Sequence, residues 1–256
     1  MALTLTLDFL PQSAFAVLLI FARIGTLAMA LPGIGDRTVP SRIRLVFAMA
    51  TSLVLFPLVQ ESAPDLPSGL VEMLTAVIRE VILGGVLGIS VRLIISGIQV
   101  AGAVIALQTG LGFAQSVDPA QGIQTSLFAS FLSVLSVAVI FATDLHHLLL
   151  IAMHDSYQLF PLGYVVSLGD FSNLALDTLS AAFRIALQLS APFLVFGLIF
   201  YLGIGILARL IPQVQIFFVA MPANILLGFI ILMLLMSTLM LWYLDYFATA
   251  MQPFQV

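Results

Sequence analysis

The run Leu70–Thr109, LVEMLTAVIREVILGGVLGISVRLIISGIQVAGAVIALQT, decides how the rest of the chain is read. Its only charges are Glu72, Arg79, Glu80 and Arg92. As a continuous helix it would measure about 60 Å, twice the hydrocarbon thickness of a bilayer. Such a run either bends or leaves the lipid and continues packed against protein. Gly84, Gly85, Gly88, Gly97 and Gly102 offer bending points and close-packing surfaces, and Gly84 with Gly88 forms a small-xxx-small pair suited to helix contact.

Directly after it comes Gly110–Gly122, GLGFAQSVDPAQG, the longest interruption in an otherwise lipid-compatible chain. Gly110, Gly112 and Gly122 supply backbone freedom, while Pro119 removes a donor and biases Asp118 away from helix. Gln115, Ser116, Asp118 and Gln121 are polar, but Leu111, Phe113, Ala114 and Val117 keep the segment partly apolar. Irregular backbone among membrane helices persists only where it is buried in protein or lines an aqueous cavity.

Working outward toward the start, an acidic, proline-rich connector, QESAPDLPSG, precedes the long run, and before it a helix is expected over Ser41–Val59. The first span is expected over Ser13–Leu31, after Pro11 and with Arg23 inside it, ending at Pro32-Gly33-Ile34-Gly35. Between these two spans lies DRTVPSRIR, with Arg37, Arg42 and Arg44, which the positive-inside rule places on the cytoplasmic side. The opening MALTLTLDFLPQSAF has no basic region and no small-residue cleavage site, so the first hydrophobic segment reads as a retained helix. Toward the end, further spans are expected over Ile123–Thr143, Leu148–Phe160, Leu174–Leu210 and Ile216–Ala250. Pro192 and Pro222 fall inside the last two.

Composition agrees with this pattern. The chain is 62% hydrophobic and 8% charged, whereas soluble proteins carry roughly a quarter charged residues. It reads as an all-α polytopic membrane protein of long, Gly/Pro-broken helical hairpins, forming one domain over residues 1–256. With no cysteine there are no disulfides or thiolate metal sites, and the net charge of −4 argues against nucleic-acid partners.

Arg79, Glu80, Arg92 and Arg184 lie within apolar runs, where charge is expensive. A structural, register-setting or inter-subunit role is expected of them, with Arg79 and Glu80 seeking different partners because adjacent helix positions face different ways. His146, His147 and His154 with Asp144 and Asp155 suggest a metal site only weakly, since they sit at a span end and form no HExxH pairing. Met233, Met236 and Met240 stand at helical spacing and read as packing. No GxSxG elbow and no phosphate loop with lysine occurs, so no enzyme activity and no cofactor or metal are expected.

Three stretches in order, DRTVPSRIRLVFAMA, GAVIALQTGLGFAQSVDPA and ARLIPQVQIFFVAMPANILLGF, resemble the FliR/SctT family of type III secretion export-gate proteins. The resemblance covers nearly the whole chain, and the first and third stretches look closer to the flagellar branch than to the injectisome one. It implies a FliP-like first part and a FliQ-like last part, built with FliP-like and FliQ-like subunits into a helical pore, with an FlhB-like protein nearby. It also implies that Gly110–Gly122 is the loop that plugs the closed pore. The expected function is a pore-forming structural subunit that helps unfolded protein substrates cross the inner membrane at the flagellar basal body. Part of the assembly would lie on the periplasmic side, with membrane lipid around the rest. A small-solute secondary transporter is the rival reading, because broken helices and buried arginines occur there too. A transporter should show two related halves with matching broken segments, and none is visible.

Overall fold

The computed structural model describes residues 2–36, 38–112, 126–164, 168–211 and 216–255, and among them there is no strand. Among the described residues the α-helices are α1 (Ala2–Ala28), α2 (Ser41–Val59), α3 (Leu70–Gln108), α4 (Leu127–Ala142), α5 (His146–Leu159), α6 (Leu168–Leu210) and α7 (Ile216–Met251). Five are long and apolar enough to cross a membrane, or six spans result if α4 and α5 together count as one.

Each expected apolar run is helical within its described residues, with differences at the ends, and residues 123–125 of the run expected over Ile123–Thr143 lie outside them. The chain is helical ahead of Ser13, because α1 runs through Pro11. A proline forfeits its own backbone donor but does not forbid helix on either side, and apolar surroundings favour keeping the remaining bonds closed. Pro192 and Pro222 are likewise carried inside the continuous helices α6 and α7. Helix α6 begins at Leu168 instead of Leu174, taking in polar residues that include Ser172, whose hydroxyl donates to the Gly169 carbonyl at 2.9 Å.

Helix α3 stays one helix for 39 residues, about 58 Å. Of the two uses its glycines offered, the structure takes close packing. A Cβ on Gly84 would collide with the Arg23 carbonyl and the Thr26 hydroxyl of α1, and one on Gly88 would come within 2.8 Å of Ala30 Cβ. Further along, a Cβ on Gly102 would lie 2.8 Å from the Ala129 nitrogen of α4. Backbone approach of this kind is how helices associate where lipid removes the hydrophobic drive.

The packing divides into two compact units. The first comprises Met1–Ile94, Asp144–Leu179 and Ala250–Val256. Its core holds Leu19, Ile20 and Ile24 of α1, Leu83 of α3 and Met153 of α5. The second comprises Ile95–Thr143 and Ser180–Thr249, with Ile98, Ile105, Leu132, Phe193, Tyr243 and Phe247 at its centre. Much apolar surface stays open. Within the apolar window of α6 11% of residues are buried and in that of α7 22%, against 61% in α3.

Candidate functional site

In the first unit a charged cluster forms around Arg23, which lies in the body of α1 with no exposed surface. Its Nε donates to Glu80 Oε2 of α3 at 2.6 Å, with both side chains fully buried. Its Nη1 donates to two carbonyls at the end of α5, Ser156 O at 2.9 Å and Phe160 O at 2.8 Å. The guanidinium lies 4.3 Å from the centre of the Tyr157 ring, and the Tyr157 hydroxyl donates back to Ile20 O of α1. The second Glu80 oxygen accepts from the backbone N–H of Gly163, a residue at φ 85°. Glycine reaches that left-handed region without penalty, and it completes the turn after α5.

Each partner answers a separate cost. Glu80 balances the charge, and the α5 carbonyls are helix-end acceptors that attract a cation. A buried ion pair depends on partners for its remaining donors and acceptors. This one has the Ser156 and Phe160 carbonyls, the Tyr157 ring and the Gly163 N–H, while Arg23 Nη2 makes no hydrogen bond among the described residues. The cluster fixes α1, α3 and α5 in one register. Arg79, the neighbour of Glu80, is exposed on another face of α3.

In the second unit lies the neck of Gly110–Gly122, the point where α3 ends. The last four carbonyls of a helix have no partner within it, and here each one is answered. Ile105 O accepts from Thr109 N at 3.0 Å, Ala106 O from the Thr109 hydroxyl at 3.3 Å, and Leu107 O from Gly110 N at 3.3 Å. Gly110 stands at φ 80°, the usual conformation just past a helix end. The fourth carbonyl, Gln108 O, accepts from Asn224 Nδ2 of α7 at 3.2 Å, across 116 residues of sequence. The same amide reaches the Tyr201 hydroxyl of α6 at 3.4 Å. Two glycines admit this helix end: Gly228 of α7, where a Cβ would lie 2.6 Å from Thr109 Cβ, and Gly197 of α6, against the Gln108 side chain.

Of the expected plug segment, Gly110 is buried, Leu111 and Gly112 are half-buried, and Phe113, Ala114, Gln115, Ser116, Val117, Asp118, Pro119 and Gly122 lie outside the described residues. Arg42 is exposed and Arg44 half-buried in the first turn of α2, and Arg37 lies outside the described residues. Arg92 of α3 and Arg184 of α6 are exposed. Asp144, His146 and His147 come together with ligand atoms within 4.8 Å of one another, whereas His154 pairs with Asp155 at 2.8 Å. Sequence reasoning noted Arg23 inside the first span but assigned no role to it or to Asn224, the two residues that organise these sites. An arginine inside the first span carries the signal for one. Nothing in the sequence singles out the other.

Long apolar helices, most of them with outward faces open, and full charge neutralised inside the fold define an all-α polytopic membrane protein. A model of the family described as "Bacterial export proteins, family 1" matches residues 14–250. The flagellar biosynthetic protein FliR of Caulobacter vibrioides is 42% identical over 229 residues, 89% of this chain and 91% of that one. FliR of Bacillus subtilis is 32% identical over 88% of this chain and 87% of its own length, and FliR of Escherichia coli 28% over 84% and 81%. The chain belongs to family 1 of the bacterial export proteins, and the resemblance drawn from its three motifs is borne out. The relatives are named for flagellar biosynthesis, not for an enzymatic reaction.

Proposed function

We propose that this chain is a pore-forming structural subunit of the flagellar type III protein-export gate. It works in the bacterial inner membrane at the flagellar basal body and helps conduct unfolded protein substrates. The observation that carries the reading is the match to FliR of Caulobacter vibrioides over 89% of the chain. The chain serves as one membrane domain, FliP-like in its first part and FliQ-like in its last. Its partners are FliP-like and FliQ-like subunits, with an FlhB-like protein beside them and part of the assembly on the periplasmic side. The open faces of α6 and α7 support this, since helices of 43 and 36 residues exceed one crossing and leave apolar surface for neighbours. Exposed Arg79, Arg92 and Arg184 are suited to acidic groups on those neighbours.

Gly110–Gly122 is the resting plug of the conduit. A passage wide enough for a polypeptide leaks ions unless something yielding fills it, and this segment combines glycines with Leu111, Phe113 and Val117. Deleting Leu111–Val117 is expected to leave the complex assembled and to make cells permeable to small ions. A deletion of similar length in the acidic connector, Glu61–Ser68, is the control and should not leak. Unchanged ion permeability in an assembled, plug-deleted complex would remove the segment from the gating mechanism.

A further inference from the structure

We infer that Asn224 is a positioning residue for export: it caps α3 from a different helix and thereby sets where Gly110–Gly122 begins. The inference rests on the plug reading given above, but its geometric half stands on described residues alone. Three of the four terminal carbonyls of α3 are satisfied by Thr109 and Gly110, the two residues that follow the helix, so they move with it. Among the described residues, Gln108 O alone of the four takes its donor from outside the segment, the Asn224 amide. Asn224 is 2% exposed, and its Oδ1 is buried without a hydrogen-bond partner among the described residues. A buried amide is kept where its hydrogen bonds serve the fold, and here the donating half holds a helix end in place.

The surroundings are shaped for this contact. A Cβ on Gly110 would come within 3.1 Å of Asn224 Nδ2, so the chain turns directly over the amide. Thr109 is fully buried against Gly228, one helical turn beyond Asn224 on the same helix. Gly197 and Tyr201 provide the matching pair on α6. Away from water, a lost donor has no replacement, and the end of α3 then frays or shifts. Because Gly110 follows two residues after the capped carbonyl, a shift there moves the root of the plug.

The chain has no cysteine, so an introduced pair reports its own geometry. A Cβ on Gly197 would lie 3.5 Å from Gln108 Cβ, inside the range of about 3.5–4.5 Å found in disulfides. The Gln108→Cys/Gly197→Cys pair would be built into the co-expressed gate complex, with Asn224 intact, with Asn224→Leu, and with Asn224→Asp. The aspartate keeps the shape and loses the donor. With Asn224 present the disulfide should form readily. Both substitutions should slow it about fivefold or more, the effect of losing one hydrogen bond in a folded protein. Without the cysteine pair, both should raise resting ion permeability while the complex still copurifies, and oxidising the pair should restore the seal.

Equal disulfide rates in all three backgrounds would overturn the capping role. Slowed disulfide formation without leakage, in cells where the Leu111–Val117 deletion does leak, would overturn the link from Asn224 to the seal. If that deletion does not leak, the plug reading fails and the seal function assigned to Asn224 fails with it, while slowed disulfide formation would still uphold the cap. A variant complex that no longer copurifies, with oxidation failing to restore the seal, would make Asn224 a folding residue and overturn the inference.

Discussion

Arg23 and Glu80 are two full charges without solvent, so the energetics of each depend on the other. Removing one leaves its partner buried and unpaired, at a cost of about 3–5 kcal/mol. Arg23→Met alone is expected to lower the denaturation midpoint of the gate complex strongly. Arg23→Met with Glu80→Leu is expected to recover part of that loss, because neither charge is then left unpaired, although the Phe160 carbonyl and the Gly163 N–H lose these partners. The check is a double-mutant cycle on the purified complex, and strictly additive costs would show that the pair is not coupled. The charge of Arg23 can be read from the sequence, but its partners cannot. Glu80 is 57 residues away, and the Ser156 and Phe160 carbonyls are 133 and 137 away. Asn224 is less legible still, since a polar residue in a helix says nothing of a carbonyl 116 residues earlier.

Elements are more legible than residues because their signals are local. Pro40 followed by Ser41 marks the start of α2, and the acidic connector marks its end, so its expected bounds agree with the structure. What local signals do not give is the purpose of a glycine inside a helix. Gly84 and Gly85 are neighbours in α3 and look alike in the sequence, yet a Cβ on Gly84 meets the Arg23 carbonyl while one on Gly85 meets nothing within 4 Å. Gly84→Ala is therefore expected to destabilise by about 1–3 kcal/mol, as overpacking does. Gly85→Ala should stabilise α3 by up to about 1 kcal/mol through helix propensity. Thermal unfolding of the two variants in the same complex separates them, and equal shifts would refute the close-approach argument.

For the whole molecule, helices with so much apolar surface outside the fold need partners. Purified alone in detergent, the chain is expected to aggregate, and co-expression with FliP-like subunits to yield a stable complex. A monodisperse, long-lived monomer would count against that. The cluster around Arg23 also has a history in time. Ribosomes add about 5–20 residues per second, so Glu80 is made some 3–11 s after Arg23, and Phe160 later again. During that interval α1 carries a guanidinium whose counter-charge has not yet been synthesised. The first helix is therefore expected to wait beside the insertion machinery until α3 emerges. Nascent chains stalled before Leu70 should be extractable from membranes by alkali, and chains stalled beyond Gln108 should resist it. Equal extraction at both lengths would mean that α1 settles in the bilayer without its counter-ion.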